Sequence, residues 1–434
     1  MRKKVRSALP ALLLSVVVAA GCGAAKPAEE DGGRTGETKG KEREPVEITV
    51  SSPLNWVEEP FRKAIEDELK QTYPYISVNW VMEDKDNTLD KQIAAGNIPD
   101  VVLVSLDRIP VLTRLKLDYN MDPLIKQFQM NLGRFEQSAL DMVKNTYGKP
   151  EQVALPYTIG FSALYYNKDI FDKFGVSYPK DGMTWEQAAD LAAKVSRMDG
   201  GVQYRGIGFN GDPTQFLAPL LSLPYVDAKT GKATVNTDSW KKVLDTAKRL
   251  FDVPGSDPAV FKSGHNAFVK EKTLAMYVAN NEVRNFKEDL NWDMVTVPVF
   301  GERPGTARTP LGISLAVTSP SKHKEEAFRV VEAFLSDRAQ LEMVRNGRPS
   351  SLKSEPLRQE FGGNVSYLKG KNLMSIFMNK PAAFYTETEY DPLVKSSIMK
   401  VFDAVLNGSK DVNTALREAE EAANQAIAAE RANQ

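Results

Sequence analysis

The sequence predicts an α/β protein built of two domains. Three observations carry this prediction. The chain has 434 residues, more than one hydrophobic core usually organises. Residues 46–104 run β-α-β-α-β. Further helical and strand patterns then continue to the C-terminus without an internal repeat.

The first strand shows as alternation at Val46, Ile48 and Val50, followed by a helical spacing at Phe61, Ala64, Ile65 and Leu69. Ile76, Val78, Trp80 and Met82 alternate again. A short helix carries Leu89, Ile93 and Ala94 on one face and ends at Gly96. Val101–Val104 is a continuous apolar run, as expected of a strand buried on both faces. This order implies right-handed crossovers and a parallel sheet, with a ligand crevice at the strands' carboxyl ends. Two loops there carry Asn55-Trp56 and Asp107-Arg108.

In the stretch 154–171, Asn167, Lys168 and Asp169 interrupt apolar residues. They read as the stop of a strand (161–166) and the cap of a short helix ended by Gly175. Pro156–Gly160 reads as a hinge crossing, with Tyr157 facing the crevice. Thr184-Trp185-Glu186-Gln187 is a capping box. Its helix should bury Trp185, and the next should bury Trp240. Strands are expected at 274–278, 294–299 and 313–317, helices over 322–346, irregular chain over 347–372, and two helices over 391–432.

Charge is balanced, with 56 basic and 57 acidic residues, which argues against nucleic acid as a partner. Two histidines (His265, His323) and one cysteine (Cys22) leave few ways to form a nucleophilic triad and almost none to form a Cys/His zinc site. No cofactor is expected. Arg2, Lys3, Lys4 and Arg6 precede an apolar stretch over 8–20, the pattern of a secretory signal. Small residues lead directly into Cys22, as in a lipobox. The sequence therefore predicts a signal peptide over 1–22, lipidation of Cys22 and anchoring to the outer face of the cell membrane. Residues 23–45 lack any aromatic or branched aliphatic side chain and read as a tether with a reach of roughly 25 Å.

Several stretches together resemble a known family. They are the lipobox, Gly96–Val102, Tyr166–Asp169, Thr184–Glu186, Lys272–Met276 and Gly312–Lys324, in this order. They are similar to the bacterial extracellular solute-binding proteins of family 1, the group that includes maltose-binding protein. The resemblance implies the periplasmic-binding-protein fold, two α/β lobes closing on a cleft across a hinge of several segments. Lobe 1 would take 46–157 and 303–349, and lobe 2 would take 158–302 and 350–434. It also implies a monomer that binds a sugar or oligosaccharide and serves the permease of an ABC importer. Asp107 and Arg108 stand where sugar-binding relatives place an Asp-Arg pair, and Asp212 stands where they place an acid before proline. Relatives carry a cleft tryptophan where this chain has Glu282, so the solute is left open.

Sugar recognition needs aromatic faces and planar hydrogen-bonding groups. The expected ligand-contact residues are Asn55, Trp56, Asp107, Arg108, Tyr157, Asp212, Asn280, Glu282, Phe384 and Tyr385. Plainer readings stand beside them: an ion pair or cap for Asp107-Arg108, a helix staple for Trp56 and a turn for Asp212. Two other functions remain open. One is a secreted glycoside hydrolase using Asp107 and Asp212, whose carboxyls would lie about 5–9.5 Å apart. The other is a binding protein that serves a membrane sensor.

Overall fold

The computed structural model describes residues 43–432, except Asn55, Lys287, 309–311, Phe384, Thr386 and Glu387, and gives only the backbone of Asp107. The expected signal peptide, Cys22 and nearly all of the tether lie outside the described residues.

Strands β1 (Val46–Pro53), β2 (Ile76–Glu83), β3 (Val101–Ser105) and β4 (Leu155–Thr158) come first in the chain. They are followed by β5 (Ser162–Asn167), β6 (Arg197–Asp199), β7 (Val202–Phe209), β8 (Leu274–Asn280) and β9 (Trp292–Thr296). Last come β10 (Thr306–Ala307), β11 (Ile313–Val317) and β12 (Lys380–Pro381). Two five-stranded sheets result, ordered β2-β1-β3-β11-β4 and β6-β7-β8-β5-β9, with β10 and β12 forming a small separate pair. The expected parallel arrangement holds for β1, β2 and β3. Strand β11, which lies outside that run, joins the sheet antiparallel to both neighbours, β3 and β4. The physical reason is connectivity, since β11 re-enters the first sheet from β9 of the second rather than through a crossover helix.

Alternation explains how each sheet is buried. Val101 and Leu103 face one core of the first sheet, and Val102 and Val104 face another. In the second sheet Leu164 and Tyr166 point into a core with Trp185 and Trp240, while Ala163 and Tyr165 point to the opposite side. Both faces are covered, so the strands read as apolar throughout. Trp185, Trp240 and Trp292 are buried. Trp80 is half-buried and donates from Nε1 to Glu66 Oε1 at 2.9 Å.

The polar interruption after β5 is structural. Asn167 caps the helix Lys168–Phe174, its Oδ1 accepting from Asp169 N at 3.0 Å. Gly175, at φ 62°, ends that helix. The capping box forms as predicted, Thr184 and Gln187 each bonding the other's backbone. Helices Lys324–Phe334 and Asp337–Arg345 lie within the predicted 322–346, and Asp391–Leu406 and Val412–Ala432 within 391–432.

The chain passes between the sheets at three places. Residues 159–161 join β4 to β5, residues 297–312 join β9 to β11, and a third segment begins at Gly347. That third segment lies along β4, with Thr158 bridged to Ser350. Thr158 Oγ1 donates to Pro349 O at 2.6 Å, and Ile159 N donates to the same oxygen at 3.2 Å. Three strands of backbone placed side by side form the joint expected of a two-lobed clamp.

Candidate functional site

The carboxyl ends of β1 and β3 open onto a cavity of about 410 Å³, within the usual range for small-molecule sites. Leu54 and Trp56 come from the loop after β1, Ser105 from the end of β3, and Thr158–Phe161 from the first crossing. Asn281, Arg284 and Asn285 face it from the turn after β8, and Gly347–Pro349 close it from the third crossing. Both sheets therefore contribute walls.

Local chemistry fixes these walls. The Trp56 carbonyl accepts from Tyr157 Oη at 3.2 Å, and Trp56 N donates to Pro53 O at 3.2 Å, so the first loop is pinned at both ends. Asn281 sits at φ 54°, in the left-handed region that asparagine tolerates better than most residues. Its Oδ1 accepts from Phe161 N at 2.9 Å and its own N donates to Phe161 O at 3.1 Å. This reciprocal pair ties the first crossing to the turn after β8. From Asn281 the chain enters a short 3₁₀ helix, Glu282–Arg284, that brings Arg284 and Asn285 to the cavity.

Glu58 precedes the helix Glu59–Thr72 but makes no side-chain cap for it. Its Oε1 instead accepts from Nη2 of Arg284 and, at 3.3 Å, from Nη2 of Arg348. One carboxylate of the first lobe thus meets a guanidinium of the second and another from the third crossing. Burial, and then the neighbouring Arg348, pull Arg284 down to about 10. Burial likewise lowers Arg348. Both stay charged at neutral pH.

Of the residues named from sequence, Trp56 lines the cavity. Asn55, Phe384 and the Asp107 side chain lie outside the described residues. Tyr157 does not face the crevice; its ring is fully buried between Phe61 and Phe334, because the side chains of β4 alternate and this one points into the core. Glu282 is buried, accepting from Asn210 Nδ2 at 2.7 Å and Asn285 Nδ2 at 2.9 Å, so it positions Asn285 from behind. Asn280 Oδ1 accepts from Ser162 Oγ at 2.5 Å, across the sheet. Arg108 is exposed at the end of a 3₁₀ turn, and Tyr385 donates to Asp391 Oδ2 at 2.7 Å. Neither is among the described residues that line the cavity.

Asp212 is also away from the cavity. It is 7% exposed and accepts from Thr214 N at 2.8 Å and Thr214 Oγ1 at 2.5 Å, which is the turn reading. Burial raises its carboxyl above the usual 3.8. The ionised form is therefore disfavoured in the folded chain, and the stability this group contributes when protonated is lost as pH rises above 3.8. Asp212→Asn keeps an acceptor for Thr214. It should melt above the unsubstituted protein at pH 7, with the gap closing as pH falls toward 3.8. A gap that widens in acid, followed by calorimetry, would contradict this account.

Sequence reading singles out Asn281 with Asn280 and Glu282 as polar groups ending a strand, but it misses Phe161, Arg284, Asn285 and Arg348. A signal was present in Asn280-Asn281-Glu282-Val283-Arg284-Asn285. Residues 281, 284 and 285 are spaced i, i+3, i+4, so one helical turn after the strand sets them on one side.

Two lobes, three crossings and a cavity walled from both sides define a clamp-type solute-binding protein. The chain belongs to the bacterial extracellular solute-binding protein family, whose model matches residues 55–341. It is 25% identical over 298 residues to a protein of Brucella abortus described as a binding protein, an overlap of 63% of this chain and 68% of that one. It is 24% identical over 311 residues to the sn-glycerol-3-phosphate-binding periplasmic protein of Rhizobium meliloti, covering 65% of this chain and 70% of that protein. In fold it is similar to an ABC substrate-binding protein of Listeria monocytogenes solved with cycloalternan. The TM-score is 0.70 and the identity 17%, over 89% of this chain and 100% of that one.

Proposed function

We propose that the protein captures a sugar, oligosaccharide or related polyol in the cavity between its lobes and delivers it to the permease of an ABC importer, held at the outer membrane face by lipid on Cys22. One observation carries the reading. The cavity is walled by both sheets and by all three of the backbone crossings that join them. A solute touching both walls stabilises the closed form by the difference in its affinity for closed and open states. Trp56 and Phe161 supply apolar faces, and Asn281 and Asn285 supply amides able to meet hydroxyls. The solute leaves chemically unchanged. Solution scattering should show a smaller radius of gyration when the cognate solute saturates the protein, and cell fractionation should find Cys22→Ala released from the membrane. An unchanged radius at saturation would refute closure, and a membrane-bound Cys22→Ala would refute the lipid anchor.

A further inference from the structure

We propose that the solute carries an acidic group, a carboxylate or phosphate on a sugar or polyol, and that Arg284 and Arg348 are the residues that read it. The inference rests on the solute-capture reading above and adds the charge class of what is captured.

Two guanidiniums line one cavity, from segments that meet only in the fold. Their side chains are 26% and 21% exposed, so they face the cavity and not open water. They converge on a single oxygen, Glu58 Oε1. Among the described residues, Glu58 brings one carboxylate to these two guanidiniums. Among the described residues that line the cavity none is Asp or Glu, and the rest are neutral. Two cations on one oxygen repel each other, and partial burial removes water that would screen them. Burial holds both guanidiniums below the usual arginine range, and for Arg284 the neighbouring Arg348 adds to the shift. A second anion in the cavity relieves that repulsion, whereas a neutral sugar leaves it in place.

Geometry agrees with charge. The guanidinium is a rigid planar fork that matches carboxylate and phosphate oxygens two at a time. Arg284 sits on the second lobe and Arg348 on the third crossing, so an anion held by both would tie together the same parts that Glu58 joins. Glu58, at the start of the helix Glu59–Thr72, orients both forks and is a positioning residue. Trp56 and Phe161 would flank the uncharged ring or chain of the solute.

The test is titration calorimetry on the exported chain with matched pairs. One arm sets galacturonate against galactose, and the other sets glycerol 3-phosphate and glucose 6-phosphate against glycerol and glucose. The acidic member of one arm should bind at least about tenfold more tightly than its neutral twin, the lower bound for a charge-assisted hydrogen bond. The arm that responds separates carboxylate from phosphate. Arg284→Gln should lower that affinity about 10–100-fold, and added salt should weaken it. Should Arg284→Gln fail to fold, Arg284→Lys keeps the charge and loses the fork, and is expected to bind at least about threefold more weakly. Neutral twins that bind as tightly as the acids, with Arg284→Gln or Arg284→Lys unaffected, would overturn the acidic-group inference and leave solute capture standing. No binding in either arm, with no compaction by scattering, would overturn both.

Discussion

Tyr157→Ala is expected to destabilise the protein by about 3–5 kcal/mol, as large-to-small changes of buried aromatics do. The ring has no exposed surface and lies 5.8 Å from Phe61 and 5.5 Å from Phe334, between centroids. Its removal leaves a void against two rings that belong to the helices covering the first sheet, Glu59–Thr72 and Lys324–Phe334. The substitution also frees the Trp56 carbonyl. Tyr157→Phe separates these roles. It keeps the packing, loses one hydrogen bond, and should cost only about 0.5–1.5 kcal/mol. Urea denaturation measures both. If alanine costs no more than phenylalanine, the ring is not a packing element of this core.

Gly312→Ala is the second large effect. A Cβ at Gly312 would stand 2.1 Å from the Thr158 carbonyl oxygen and 3.0 Å from Ile159 Cα. Those are backbone atoms, so no rotamer change gives relief, and β11 must move off β4. Overpacking of this kind costs about 1–3 kcal/mol, and occasionally more. Thr158, Ile159 and Gly312 also line the cavity, so solute affinity should fall with stability. Gly301→Ala is the control. It lies on the same passage between the sheets and a Cβ there meets nothing within 4 Å. Equal denaturation midpoints for the two variants would show that the close approach does not constrain the joint.

The elements legible in the sequence are those set by neighbours in the chain. Val101–Val104 is apolar because both faces of β3 are covered, and Asn167 ends β5 through a bond only two residues long. Strand β7 escaped notice because Gly206 and Gly208 break its pattern. The fold explains the first of them: a Cβ at Gly206 would lie 2.4 Å from Ala192 O, on the helix that packs over it. The site was less legible for a related reason. Trp56 lies more than 200 residues from Arg284 and Arg348, and only the three crossings bring them to one cavity. Glu282 and Asn281 show how narrow the margin is. One residue along the same turn separates a buried brace from a cavity wall.

The position of β11 has a consequence for biosynthesis. It lies between β3 and β4, yet it follows β4 in the chain by about 150 residues and β3 by about 200, and comes after the whole second sheet. Until Ile313–Val317 emerges, β3 and β4 have no partner on their facing edges, and the first sheet cannot close. Pairings of such long sequence separation slow folding. Delayed closure suits a chain of the extracellular family, which must cross the membrane before it locks. It also means that the first sheet is not built from one continuous fragment. A truncation before Ile313 would leave two open strand edges, the arrangement most prone to pair with another copy.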